Sequence, residues 1–477
     1  MSTAIVVGAG PNGLAAAVTL AQAGVTVTVL EAADEIGGGT RSGEVILPGL
    51  CHDHCSAFHP VAAGSPFILA AGLTRYGLEW RWPEIDCAHP LDDGTAATLY
   101  RGIDRTAAGL GNDGGRWRLL FGRPAEGFDE LAADITGPLL RLPRHPIQLA
   151  RFGIPAALPG SVLARLFTTK AARALFGGVA AHMFRPLHLP FSAAVGMGII
   201  TAGHRHGWPV AAGGSRAITD AMAALLQELG GIIETGVPVL RFADLPTADV
   251  TLFDLAPSAV ADILIGRQPS RLEQAYRRFR HAPGTFKVDF AVQGGVPWRA
   301  REARRAGTVH LGGCFAEIAA TERIVSAGRM PDRPFVLVGQ QYLADPARST
   351  HDVHPVWTYA HVPAGYEGDA TPLIMAQIER FAPGFRERVI GLAVRSTTEM
   401  SRYNRNYVGG DIIGGRKDVR QLVLGPGAGW HPYETGVRGM YLCSASTPPG
   451  PGAHGMCGFH AAQAALRQLV VPSALWG

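Results

Sequence analysis

The chain has 477 residues, 47% of them hydrophobic and 17% charged, with a formal net charge of +4. That length allows two or three domains around a large core. A charge so near neutral, with no basic stripe interleaved with aromatics, excludes a dedicated nucleic-acid binder.

The first strand is expected from Ala4 to Val7, an apolar run bounded by glycine. Gly8, Gly10 and Gly13 then spell G-x-G-x-x-G, and Pro11 and Asn12 open an alanine-rich helix that stops at Gly24. A second strand, Val25 to Leu30, ends at Glu31, followed by Ala32. Gly8 permits the tight turn, Gly10 lets backbone N–H groups approach a pyrophosphate, and Gly13 lets helix and strand pack closely. The helix N-terminus offers its positive end to the phosphates, and Glu31 stands where a carboxylate accepts from ribose hydroxyls. Strand, glycines, helix, strand and acid in register predict a bound dinucleotide. With the first strand starting at Thr3, no signal peptide is expected, and no window reaches the apolar length of a spanning helix. A cytoplasmic protein is expected.

A flexible loop follows, Gly37-Gly38-Gly39-Thr40-Arg41-Ser42. The pairing of G-x-G-x-x-G with an acid and then G-G-x-x-R resembles the FAD-binding N-terminus of the amine oxidase and phytoene desaturase superfamily. It is most similar to the bacterial phytoene dehydrogenase-like oxidoreductases and to animal relatives named as pyridine nucleotide-disulphide oxidoreductase domain proteins. The resemblance implies FAD, with Gly38, Gly39, Thr40, Arg41 and Ser42 along its diphosphate and flavin. It also implies an α/β fold in which a discontinuous Rossmann-like FAD-binding domain is interleaved with a mixed-sheet and helical substrate domain. The boundaries expected are 1–100, 210–265 and 420–477 for the first, and 101–209 and 266–419 for the second.

Cys51-His52-Asp53-His54-Cys55, with His59 beyond, invites a metal reading. It lacks the paired C-x-x-C arms of a structural zinc site, and neighbours in an extended segment point to opposite sides. No metal is expected there. The remaining cysteines, Cys87, Cys314, Cys443 and Cys457, are scattered, as reduced thiols would be.

Between Asp134 and Asp220 there is no acidic residue, while Arg141, Arg144, Arg151, Arg165, Lys170, Arg173, Arg185, Arg205 and Arg216 are basic. One reading is a cap that touches an anionic membrane and admits a lipophilic substrate. The other is a helical substrate domain whose arginines are solvated or paired elsewhere. Ala212 to Val239 reads as glycine turn, helix and strand. By resemblance it is the return to the FAD domain, with Val239 holding the adenine through its backbone. Long alternating strands after Phe286, Gly307, Pro334 and Val356 fit the mixed sheet flooring the substrate cavity. Tyr403 to Gly415 is a polar, glycine-dense loop, either a site wall or a set of turns.

Gly439 to Ala462 reads as strand, proline-glycine loop and a helix beginning near Gly455 and Met456. Its second glycine triplet has no following strand and acid, so it should serve the flavin rather than a nicotinamide. A helix N-terminus there would stabilise the negative charge of reduced flavin. Many members of the superfamily carry an acid soon after this strand, where Ser444, Ala445 and Ser446 stand; Ser446 is the expected cofactor contact. His454 and His59 are candidates for general acid or base, with a structural hydrogen bond as the alternative for each. The expected chemistry is hydride transfer from a substrate C–H to flavin, desaturating a C–C bond of an apolar small molecule. A saturase or isomerase acting on an alkene, and a lipid- or prenyl-binding protein of the same fold, are the alternatives. Oxygen or a quinone is the expected electron acceptor, and the oligomeric state is left open.

Overall fold

The computed structural model describes residues 2–427 and 429–470; the end of the last expected domain segment, 471–477, lies outside them. Thr3–Val7 forms a strand with all but its first residue buried. The chain turns through Gly8, at φ +104°, into the helix Pro11–Gln22. Proline suits the first helical position because its fixed φ is helical and its missing N–H would be unpaired there anyway. The N-cap, Gly10, makes no side-chain cap.

Thr26–Leu30 pairs in parallel with Thr3–Val7, and the sheet grows to five parallel strands. Their order is Met440–Leu442, Val250–Phe253, Thr3–Val7, Thr26–Leu30, Ile232–Glu234. This Rossmann-like sheet is thus assembled from distant parts of the chain. The last helix, Met456–Val470, crosses the first one. Gly458 makes the crossing feasible, since a Cβ there would fall 1.8 Å from the Asn12 carbonyl oxygen.

The second sheet has seven strands, in the order Val389–Arg395, Gly284–Gln293, Val353–Val362, Val336–Gly339, Ala306–Leu311, Ile85–Pro90, Ala96–Leu99. Residues 85–99 therefore depart from the 1–100 boundary. Ile85–Pro90 is fully buried and pairs in parallel with Ala306–Leu311, so it belongs to this sheet.

Alternation divides the sheet into two faces. Phe286, Val288, Phe290, Val309, Val336, Val338, Val356 and Ala360 form an apolar core with Ile374 and Ile378. The opposite face carries Lys287, Asp289, Thr308, His310, Leu337, Trp357 and Tyr359. The cross-strand partners Thr308, Gly339, Trp357 and Asp289 make one row; His310, Leu337, Tyr359 and Lys287 make the next. The acid-free stretch supplies much of the helical layer over this face, with Phe152, Leu175, Phe176, Met197 and Ile200 packed into one cluster with Leu337, Trp357 and Tyr359.

Candidate active site

A cavity of about 940 Å³ opens between the parallel sheet, the polar face of the second sheet and the helical layer. That is near the upper end of the range for small-molecule sites, ~300–1,000 Å³. Its two halves differ in chemistry.

The first half is walled by Gly8, Gly10, Pro11, Asn12, Glu31, Ala32, Gly38, Gly39, Thr40, Arg41, Val239 and Ser446. The geometry explains the glycines. A Cβ on Gly10 would lie 2.7 Å from Asp254 Oδ2, and one on Gly38 would lie 3.1 Å from the Gly10 Cα. Gly13 is behind the wall, where a Cβ would meet the Gly8 carbonyl oxygen at 2.0 Å.

Glu31 accepts from the Ala9 N–H at 2.8 Å and the Ala33 N–H at 2.9 Å, and lies 3.4 Å from Arg41 Nη2. Its carboxylate thus braces the glycine loop from behind while lining the cavity. Arg41 clamps its own loop, donating to the Glu35 carbonyl at 2.8 Å and the Ile36 carbonyl at 3.1 Å. The Asn12 Oδ1 and Ser444 Oγ atoms are buried without a partner among the described residues, and both residues line the cavity. Buried polar atoms ordinarily find partners, so this cradle fits a ligand with polar groups.

Other expected residues do not reach the cavity. Ser42 donates to Asp53 Oδ1 at 2.7 Å. Gly455, at φ +71°, is packed against Ala15 and Phe67. The Met456 N–H donates to His454 Nδ1 at 3.0 Å, so His454 caps the last helix from inside the protein. Burial pushes its imidazole down to about 4. His59 does line the cavity, with Nε2 2.9 Å from Ser215 Oγ, and burial likewise lowers it to about 4.

Several wall residues carry no motif that marks them in the sequence. Asp254 ends the Val250–Phe253 strand and accepts from the Gly13 N–H at 3.0 Å. Burial, with Glu31 nearby, pushes its carboxyl up to about 7. Asn406 holds that turn, donating to the Asp254 carbonyl at 2.8 Å and accepting from the Ala256 N–H at 2.7 Å. The Tyr403 hydroxyl donates to the Gly38 carbonyl at 2.6 Å. The loop that begins at Tyr403 is therefore a wall as well as a set of turns. Lys417 lines the cavity beside Gly450, whose Cβ would lie 3.5 Å from Nζ; burial lowers the amine to about 8.

The second half is apolar and aromatic, with Phe58, Phe184, Ile199, Trp208, Trp357 and Tyr359 among its walls. His182 and Thr308 are its polar points. Phe184, a non-glycine residue at φ +51°, stacks on His361 with ring centroids 3.8 Å apart. Such backbone persists only where its surroundings enforce it. Period-two alternation, as in Trp357-Thr358-Tyr359-Ala360-His361, is the signal that could have marked this face in advance.

The Cys51–Cys55 cluster disperses. Cys51 Sγ lies 3.5 Å from the Gly213 carbonyl, His52 meets the Leu50 and Phe290 carbonyls at 3.2 and 3.3 Å, and His54 packs edge-on against Tyr403. Asp53 pairs with Arg348 at 2.6 Å. Elemental analysis of the purified protein should therefore find zinc well below one per chain. Stoichiometric zinc lost on replacing Cys51 and Cys55 with serine would overturn that expectation.

Comparison with known proteins agrees with this geometry. The family model of an NAD(P)-binding Rossmann-like domain matches residues 6–65. The hydroxyneurosporene desaturase of Cereibacter sphaeroides is 28% identical over 264 residues, 50% of this chain and 50% of that protein. The chain thus matches half the length of that relative. Among solved structures, the cyclohexylamine oxidase of Brevibacterium oxydans aligns over 98% of this chain and 99% of its own, at 15% identity and TM-score 0.59. A fatty acid isomerase from P. acnes aligns over 98% of each chain, at 16% identity and TM-score 0.58. The fold is amine oxidase-like, and the resemblance to the phytoene desaturase and amine oxidase group read from the sequence is borne out.

Proposed function

We propose that the protein is an FAD-dependent oxidoreductase that takes a hydride equivalent from a C–H bond of an apolar small molecule. The observation that carries this is the juxtaposition, in one cavity, of a dinucleotide cradle with a charge-poor aromatic chamber. Gly8, Gly10, Asn12 and the first helix's N-terminus would hold the diphosphate, Glu31 the ribose, and Val239 the adenine. Gly38 to Arg41 and the loop from Ser446 to Ala453 would border the flavin. Bound flavin supplies the hydride acceptor.

The chain's own residues position, shield and tune. Phe58, Trp357 and Tyr359 would exclude water from the reacting carbon. Lys417, for which no carboxylate partner is found among the described residues, places a cation beside the Gly450 loop, where it would stabilise negative charge on a reduced ring. Of the two candidate histidines, only His59 lines the cavity, where it would exchange a proton with a bound molecule. Removal of a second hydrogen as a proton completes a C–C desaturation. The fatty acid isomerase likeness favours an alkene isomerisation on the same scaffold as the second reading. Purification without added cofactor is the test: the protein should be yellow, with FAD released on denaturation. A colourless protein that takes up no added FAD would leave only a lipid-binding role.

The one complete βαβ dinucleotide unit read from the sequence, Thr3 to Glu31, is assigned to FAD. NADH and NADPH should therefore bleach the flavin only slowly under anaerobic mixing, and oxygen or a quinone should reoxidise it. Fast, saturable bleaching by either nicotinamide would move the function to an NAD(P)H-driven saturase.

Peripheral membrane contact is the second expectation carried forward. No single helix among the described residues is long and apolar enough to cross a membrane. Leu142, Ile147 and Ile154 are nonetheless 93%, 66% and 70% exposed, close in sequence to Arg144, Arg151 and Arg165. Flotation should recover the protein with anionic vesicles at low salt, and recovery should fall as salt screens the arginines. Absence of binding at low salt would reduce the segment to an ordinary substrate domain.

A further inference from the structure

Asp254 stands where the parallel sheet reverses its order. Thr3–Val7 has Thr26–Leu30 on one side and Val250–Phe253 on the other, and the Asp254 N–H donates to the Val7 carbonyl at 2.8 Å. In open parallel sheets a ligand seats at this switch point, in the crevice outside the carboxyl ends of the strands.

The glycine triplet closes around this one side chain. A Cβ on Gly8 or on Gly13 would lie 3.2 Å from the Asp254 Cβ, and one on Gly10 would lie 2.7 Å from Oδ2. Oδ2 accepts the Gly13 N–H at 3.0 Å, the one hydrogen bond to this carboxyl among the described residues. The residue lines the cavity and is 8% exposed. An acid thus occupies a donor at the N-terminus of the first helix, inside the cradle that would hold the diphosphate.

Its surroundings oppose a second anion. Burial, and then Glu31, push the carboxyl up to about 7 against the pull of the Gly13 N–H, and no cation among the described residues acts on it. Glu31, by contrast, has Arg41 at 3.4 Å. Cys443 and Cys457 are its titratable neighbours from the last strand and the last helix, and burial keeps both thiols neutral. A helix N-terminus offers only about half a unit of positive charge. A diphosphate seated there brings its own negative charge, and like charges sharing a site drive a proton onto the weaker acid.

We propose that Asp254 binds the FAD diphosphate as a neutral carboxylic acid, one oxygen keeping the Gly13 N–H and the other donating its O–H to a phosphate oxygen, so that FAD binding takes up a proton from solvent. The inference rests on the assignment of FAD to this cradle and adds the protonation that its capture requires. FAD selects the protonated form, so affinity is full below the value of the empty protein, about 7. Above it, affinity falls by about tenfold per pH unit until the carboxyl of the complex itself ionises. Lys417, at about 8, acts in the same direction but at higher pH. His59 and His182, at about 4 and about 3, stay neutral across this range. Arg402, Arg405 and Asp262 are further charged groups on the cavity wall.

Calorimetric titration of the flavin-free chain with FAD, in HEPES and in Tris at about pH 7.5, reads the proton directly. The apparent enthalpy should differ between the buffers in the sense of proton uptake, and Kd should rise about tenfold from about pH 6 to about pH 8. Asp254→Asn keeps an acceptor for the Gly13 N–H and a donor for the phosphate but cannot titrate. It should bind FAD with no buffer dependence and a level Kd, about tenfold more tightly than the native chain at about pH 8. Asp254→Ala removes charge and donor together, so its Kd should be level too but weaker than that of the amide. Lys417→Met should keep the native proton uptake. A native Kd that is level with pH, uptake that survives Asp254→Asn or disappears in Lys417→Met, or alanine binding as tightly as asparagine overturns the proposal. Each of those results leaves FAD binding itself intact. Absence of FAD binding at every pH overturns the cofactor assignment and this inference together.

Discussion

Gly10→Val should yield a colourless protein that added FAD does not stabilise. A Cβ at this position lies 2.7 Å from Asp254 Oδ2, and Gly38 packs so close that its own Cβ would lie 3.1 Å from the Gly10 Cα. Asp254 has little freedom to retreat, because its carboxyl accepts from the Gly13 N–H and its carbonyl from Asn406. The valine side chain must therefore occupy the path of the diphosphate. A loss of at least about a hundredfold in affinity, near 3 kcal/mol, is expected. Thermal melting with and without FAD measures it. Ligand at a hundred times Kd stabilises by about 2.7 kcal/mol, so the native protein should shift clearly and the variant should not. Equal shifts would show that the cofactor does not lie against Gly10.

Arg348→Met should destabilise the fold more than any of the cavity-wall substitutions above. The Arg348 side chain is 1% exposed and lies 2.6 Å from Asp53 and 3.2 Å from Asp345, both fully buried. Its Nη2 also donates to the Ala211 carbonyl at 2.7 Å. Methionine would leave two carboxylates buried without this cation, at a cost of about 3–5 kcal/mol. Total stabilities are about 5–15 kcal/mol, so much of the protein's margin would go.

The pH dependence follows from Asp53. Burial by itself would raise its carboxyl, but the Arg348 charge and the donors Ser215 N–H and Ser42 Oγ–H outweigh it, and the net shift is downward. A lowered carboxyl stabilises the fold above its unfolded value, about 3.9, and that contribution disappears as pH falls through the folded value. Without Arg348, Asp53 takes up a proton more readily. The variant's deficit in urea unfolding should therefore be largest near neutrality and shrink towards about pH 4. A deficit that stays constant with pH would mean that packing, and not charge, is what Arg348 supplies.

The dinucleotide cradle is legible in the sequence alone. Gly13 meets the Gly8 carbonyl and Glu31 accepts from the Ala9 N–H within one βαβ unit, and strand, turn and helix rules read such contacts directly from spacing. The same holds for the dispersal of the Cys51–Cys55 cluster, because alternating side chains in an extended segment diverge. The cap at His454 is equally local, two residues from the N–H it accepts from. Sequence leaves its role open between cap and catalyst, because a histidine near a helix N-terminus suits either.

Other parts of the site exist only in three dimensions. Nothing around Phe253-Asp254-Leu255 announces a carboxyl that meets Gly13, 241 residues earlier. Asp53 finds its cation 295 residues away. His182 lies in the helical layer and meets His310 on a strand 128 residues later. Alternation within each strand shows that Lys287, Thr308 and Trp357 each lie on one face of their own strand. It does not show which strands are neighbours or what covers them. Those facts depend on register and on how sheet and helices pack, and a local pattern carries no information about contacts formed across hundreds of residues.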